Sequence, residues 1–134
     1  QLVKQLASVY ESENKVEVEL KGKNTFFDID TAIPVGLILN ELVSNAYKYA
    51  FKKGGQGKLD IHLEEVSKGE YTLTVSDNGT GLPSDFEVTK TKSLGLRLVH
   101  RLSRQLYGKV EYLYEQGANF KIIFKDTEQR KLIQ

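Results

Sequence analysis

The chain has 134 residues, 40% hydrophobic and 28% charged, with 19 basic against 18 acidic residues for a formal net charge of +1. Such a chain suits one globular domain with a buried core and has no broad field to attract nucleic acid or an anionic membrane surface. Without cysteine it makes no disulfide, thiol nucleophile or zinc–cysteine site, and its two histidines lack ligand-like spacing. No apolar run is long enough to cross a bilayer and no signal-like start is present, so a cytoplasmic location without direct membrane contact is expected. The missing initiator Met is expected of a fragment whose upstream region lies outside the sequence.

Residues 1–12 carry Leu2, Leu6 and Val9 at helical spacing and read as the end of an upstream helix or a linker. Val16-Glu-Val-Glu-Leu20 alternates as a half-buried strand does, and Gly22-Lys-Asn24 turns into Phe26–Asp30, which predicts a hairpin. Asp30 or Thr31 is placed to cap the next helix, with Pro34 in its first turn. That helix runs to about Phe51. Its apolar band is Ile38, Leu39, Leu42, Val43, Ala46 and Ala50, and along its edge lies a polar stripe of Glu41, Asn45 and Lys48. A wet helix face explains the stripe as well as a site does.

Lys52–Gly57 is a surface turn, and Leu59–Leu63 with Tyr71–Val75 alternate as an antiparallel pair that ends at Asp77. Residues 84–92 have no periodicity and read as a lid. From Leu94, apolar residues at Leu98, Val99, Leu102 and Leu106 predict a helix stopped near Gly108, with Arg97, Arg101 and Arg104 outward. Val110–Tyr112 and Phe120–Phe124 form a closing hairpin before a charged tail at 127–134, which leaves 13–126 as the domain.

Asp77-x-Gly79-x-Gly81 puts a carboxylate at a strand end beside residues that let a ligand approach the backbone, though a plain Asp/Gly turn has the same pattern. Ser93-Leu94-Gly95-Leu96 stands where a loop becomes a helix, a place that offers N–H groups to phosphate, and Ser93 is equally an ordinary N-cap.

Taken together and in this order, Glu41-x-x-x-Asn45-Ala-x-Lys48-Tyr49, Asp77-Asn-Gly-Thr-Gly81 and Ser93-Leu-Gly-Leu96 resemble the N, G1 and G2 boxes of the GHKL ATPase superfamily. The similarity extends over nearly the whole chain and is strongest toward the catalytic ATP-binding domain of sensor histidine kinases with a short lid. The resemblance implies an α+β fold: a two-layer α/β sandwich with a mixed, mostly antiparallel sheet and helices on one face. It also implies ATP and magnesium (Mg2+) as cofactors. On it, Asn45 is the metal ligand, Lys48 approaches phosphate and Tyr49 stands near the adenosine. Asp77 accepts from the adenine amine, Gly79 and Gly81 are the G1 glycines, and Ser93, Leu94, Gly95 and Leu96 form the G2 turn, with Lys90 or Lys92 reaching phosphate from the lid. Ser93 replaces a frequent glycine, and Phe86 is the remnant of a lid Phe-x-x-Phe stretch. Gly117-Ala-Asn-Phe120 resembles a Gly-Thr-x-Phe turn in which Ala118 lacks the hydroxyl, leaving Asn119 as its substitute.

Glu41 either orients or deprotonates the nucleophile, or fixes Lys48 and a metal-bound water. If the acceptor is a histidine, the domain is half of a kinase whose partner is an upstream dimerisation and phosphoacceptor domain in a homodimer, serving a response regulator indirectly. If it is water, the domain resembles clamp ATPases, and a non-catalytic nucleotide-sensing switch is the third reading. His62, on a strand, and His100, on a helix, are packing or surface residues and not the acceptor.

Overall fold

The computed structural model describes residues 15–22, 25–50, 56–79 and 93–134. The elements are β1 (Lys15–Lys21), α1 (Ile29–Asn45) continuing into a π turn (Ala46–Ala50), β2 (Gln56–Ser67), β3 (Glu70–Asp77), α2 (Leu94–Gln105), β4 (Lys109–Tyr114), β5 (Ala118–Lys125) and α3 (Thr127–Ile133). The expected helix or linker at 1–12, the lid at 84–92 with Phe86, Lys90 and Lys92, and Gly81 lie outside the described residues.

Alternation along the strands builds the sheet's inner face. Leu59 and Ile61 of β2, Tyr71, Leu73 and Val75 of β3, and Ala118, Phe120, Ile122 and Phe124 of β5 are all buried, and register pairs Val75 with Phe120, Leu73 with Ile122 and Tyr71 with Phe124. The five strands run β1-β2-β3-β5-β4. Among the described residues only β1–β2 is parallel; the other three pairings are antiparallel. The expected α/β sandwich with a mixed, mostly antiparallel sheet is thus what forms.

α1 covers this face with Val35, Ile38, Leu39, Leu42 and Val43, and α2 with Leu96, Val99, Leu102 and Ser103. The stripe expected from Leu94 and Leu98 is shifted: both are exposed, and the buried line runs 96, 99, 102–103 and 106, which fits the helical period better. α2 closes through a Schellman arrangement in which Gly108 N–H donates to the Ser103 carbonyl at 2.9 Å and Tyr107 N–H to that of Arg104 at 3.0 Å. Tyr107, at φ 56, takes the left-handed position, while Gly108 is needed because any Cβ there would strike the Ile123 carbonyl.

The expected hairpin between residues 16–20 and 26–30 does not form. β1 pairs with β2, and Phe27 leaves the sheet plane to join Tyr71 (4.9 Å between ring centroids) and Phe124 (5.8 Å), while Phe26 is exposed. Asp28, not Asp30 or Thr31, caps α1, accepting from Thr31 N–H at 3.3 Å. A bond from the Thr127 hydroxyl, foremost, holds the Asp28 carboxyl below its usual range. The earlier start puts Pro34 in the second turn, where its missing N–H leaves the Asp30 carbonyl without a helical donor.

Arg130 fills that gap. The tail expected at 127–134 is α3 over Thr127–Ile133, and its buried Arg130 donates from Nη2 to the Asp30 carbonyl (3.3 Å) and Thr127 Oγ1 (3.2 Å). Nη1 donates to Thr31 Oγ1 (3.1 Å) and the Lys125 carbonyl (2.6 Å). Arg130→Met should therefore leave two partly buried carbonyls without this donor and cost about 1–3 kcal/mol in all. Thermal melts should show the Tm falling by several degrees, and an unchanged Tm would show the clamp to be idle.

Candidate functional site

Strand direction sets the site's place. Asp77 ends β3, and in register Ser76 faces Asn119, so the start of β5 lies at the same end of the sheet. Phe27, just before α1, packs on Tyr71 and Phe124 at the opposite end, so α1 runs toward Asp77 and delivers Asn45 there. α2 runs the other way. Its C-terminal Leu106 carbonyl accepts from Lys125 N–H at 2.9 Å, which leaves Ser93–Leu96 at the Asp77 end. One end of the sandwich thus collects Glu41, Asn45, Asp77 and the first turn of α2.

Asp77 is held by backbone. Its Oδ1 accepts from Gly79 N–H at 2.9 Å and Ala118 N–H at 3.1 Å, while Oδ2 takes no hydrogen bond among the described residues. Burial pushes its carboxyl above the ordinary value of 3.8, against the pull of those two bonds. A half-buried carboxylate fixed by two backbone N–H groups is an acceptor held in place for a ligand's donor. Asn78 locks the turn behind it: Lys58 N–H donates to its Oδ1 at 2.8 Å and Asn78 N–H to the Lys58 carbonyl at 3.2 Å.

Gly79 does not adopt the positive φ that its motif suggested; Gly117 does, at 136°, and a Cβ there would strike the Asp77 carbonyl. The close approach at this corner is therefore made by β5. Asn119, expected to stand in for a hydroxyl, has its partners within its own turn. Strand alternation sends Asn119 to the sheet's other face, where Nδ2 donates to the carbonyls of Glu115 (3.3 Å) and Gly117 (3.2 Å). The group this turn brings to Asp77 is the Ala118 N–H. A side-chain motif cannot reveal it, but an Asp at a strand end in register with a Gly-Ala strand start can.

On α1, Glu41 and Asn45 are half-buried one turn apart, and Lys48 is exposed in the π turn with Tyr49 after it. The wider π turn interrupts the α stripe after Asn45, so Lys48 falls out of line with it; such bulges recur at functional positions. Ser93 caps α2, its Oγ accepting from Leu96 N–H at 3.4 Å. Leu94 is exposed, and Leu96 buries its side chain, so it brings the site only its backbone. Gly95 lies against Glu41, whose Oε2 occupies the space that a Cβ on Gly95 would need.

Among the described residues no group of three or more acidic, His or Cys side chains gathers to hold a metal. The donor set at this end, one amide oxygen from Asn45 and a helix start, fits a cation that arrives on phosphate oxygens. No described helix is long and apolar enough to cross a membrane.

Comparison with known proteins agrees with this arrangement. The chain is 28% identical over 91 residues to Blue-light-activated histidine kinase 2 of Erythrobacter litoralis, covering 68% of this chain and 26% of that protein. It is 32% identical over 97 residues to Sensor histidine kinase PdtaS of Mycobacterium tuberculosis, covering 71% and 19%. The chain thus spans about a quarter or less of the length of these relatives. In fold it resembles the histidine kinase domain of the Erythrobacter litoralis blue-light activated histidine kinase, with a TM-score of 0.79 and 24% identity, over 99% of this chain and 69% of that one. Acinetobacter baumannii histidine kinase AdeS aligns with a TM-score of 0.71 and 24% identity, over 94% and 64%. Residues 30–128 match the family described as Histidine kinase-, DNA gyrase B-, and HSP90-like ATPase, and the chain belongs to that family.

Proposed function

We propose that the chain is the ATP-binding catalytic domain of a cytoplasmic two-component sensor histidine kinase. It transfers the γ-phosphoryl group of ATP to a histidine on an upstream helical-hairpin domain, in a protein that acts as a homodimer and serves a response regulator. The ATP-binding domain is 13–126, with α3 docked on it through Arg130 and with 1–12 the end of an upstream helix or the incoming linker. The observation that carries this reading is the backbone-held Asp77 carboxylate at the same sheet end as Asn45 and the first turn of α2.

Asp77 Oδ2 accepts from the adenine amino group, and Tyr49 borders the adenosine. The first turn of α2, with Ser93, Leu94, Gly95 and Leu96, offers N–H groups and a favourable dipole to the phosphates, which Lys48 and Lys92 also approach. Asn45 would hold Mg2+ through its amide oxygen; when bound, the ion neutralises charge on the phosphate oxygens. As the imidazole nitrogen bonds to the γ-phosphorus, the bond to the bridging oxygen breaks and ADP departs. Glu41 orients that imidazole or takes the proton from its other nitrogen.

A second reading is supported by the same Glu41. A carboxylate at the start of α2 is equally placed to orient a water, as a clamp-type ATPase requires.

Isothermal titration with ATP tests the proposal. The wild-type chain should bind, and more tightly with magnesium; no binding in either condition would end the nucleotide reading. Asn45→Ala should remove most of the magnesium-dependent gain while adenosine recognition persists. Equal losses with and without the ion would exclude Asn45 as the ligand.

A further inference from the structure

The helix starting at Leu94 has a glycine as its second residue, a residue type that helix propensity disfavours relative to Ala. Its φ is not positive, so backbone conformation does not demand it. Sterics do. A Cβ built on Gly95 would collide with Oε2 of Glu41 and stand 3.2 Å from Cδ; among the described residues, its chain neighbours and its own helix's backbone apart, no other atom is within 4 Å of it. The space left by the missing side chain is filled by one carboxylate, reaching across from α1 to the positive end of the α2 dipole.

We propose that Gly95 is a positioning residue for Glu41. Its bare Cα seats the carboxylate against the first turn of α2, so that a long, flexible side chain holds one aim toward the nucleophile. The inference rests on the reading of Glu41 as the group that orients or deprotonates that nucleophile. Gly95 then acts on the transfer step more than on nucleotide affinity, unlike a glycine that merely lets phosphate approach.

The atom in the way is the free end of a Glu side chain, not backbone, so Ala at this position displaces the carboxylate and leaves the fold in place. In the full-length parent protein, Gly95→Ala should keep its Tm and its affinity for a fluorescent ATP analogue. Its rate of phosphoryl transfer should drop by about 100-fold, the scale expected when a reacting group is misplaced by an ångström. Glu41→Asp withdraws the carboxylate by one methylene and should slow transfer by itself. Adding Gly95→Ala to Glu41→Asp should slow it no further, because the shorter acid no longer reaches the added methyl group.

Additive losses in the double variant, or an unimpaired rate in Gly95→Ala, would overturn the inference. So would a loss of analogue affinity with either residue at position 41, which would assign Gly95 to phosphate contact, and so would a collapse of Tm in both backgrounds. A wild-type protein that binds no analogue or labels no histidine sinks the kinase reading itself, and the inference with it.

Discussion

Asp77→Asn is expected to weaken ATP binding by about 1–3 kcal/mol or more, on the order of 10–100-fold, without unfolding the protein. The amide is isosteric, and its oxygen can still accept from Gly79 and Ala118, so the corner between β3 and β5 keeps its two bonds. The atom aimed at the ligand changes instead from acceptor to donor and meets the adenine amine with nothing to offer. Titration of a fluorescent ATP analogue measures this directly, and wild-type affinity in the variant would remove Asp77 from the site. Asp77→Ala should differ in kind, because it strands both N–H groups and so lowers Tm as well.

The carboxyl's raised pKa adds a pH signature. Between its ordinary value of 3.8 and the raised one, the folded state binds the proton that the unfolded chain has released. This contribution to stability is complete below 3.8 and is lost as the pH rises through the raised value. Affinity runs the opposite way. Protonated Asp77 no longer presents two acceptor oxygens, so ATP binding should fall as the pH drops through the raised value, and the dependence should vanish in Asp77→Asn.

The second large effect concerns transfer. The chain alone, incubated with radiolabelled ATP and magnesium, is expected to bind nucleotide without labelling itself. His62 is exposed on β2, on the face opposite the buried Leu59 and Ile61, and His100 is half-buried midway along α2. Holding acceptor and donor on one scaffold is worth about 7–11 kcal/mol of barrier, and a chain without the acceptor helix forgoes it. Supplied with the helical-hairpin domain of its parent, it should label that domain in an acid-labile, base-stable form. Rapid phosphate release by the chain alone would favour hydrolysis with Glu41 activating water, and label on His62 or His100 would overturn the acceptor assignment.

The strands, the two core helices and the motif order were legible because each rests on local periodicity or on a residue set close in sequence. What escaped were decisions made at long range. Val16–Leu20 reads as a strand by alternation, but only the assembled sheet shows that it lies parallel to β2. Phe26–Asp30 also alternates, yet the pull of Phe27 into the Tyr71–Phe124 cluster and the capping bond of Asp28 outweigh it. Among site residues, Glu41, Asn45 and Asp77 were readable as side-chain chemistry. The Ala118 N–H was not, since any residue but proline could supply it and its meaning comes from standing opposite Asp77.

The similarity that defines the family ends at residue 128, while the bond that repairs the Pro34 gap in α1 comes from residue 130. A chain cut where the resemblance stops would keep every motif and lose the guanidinium that anchors the start of the helix bearing Glu41 and Asn45. For this protein, the family match stops two residues short of a side chain that the fold uses.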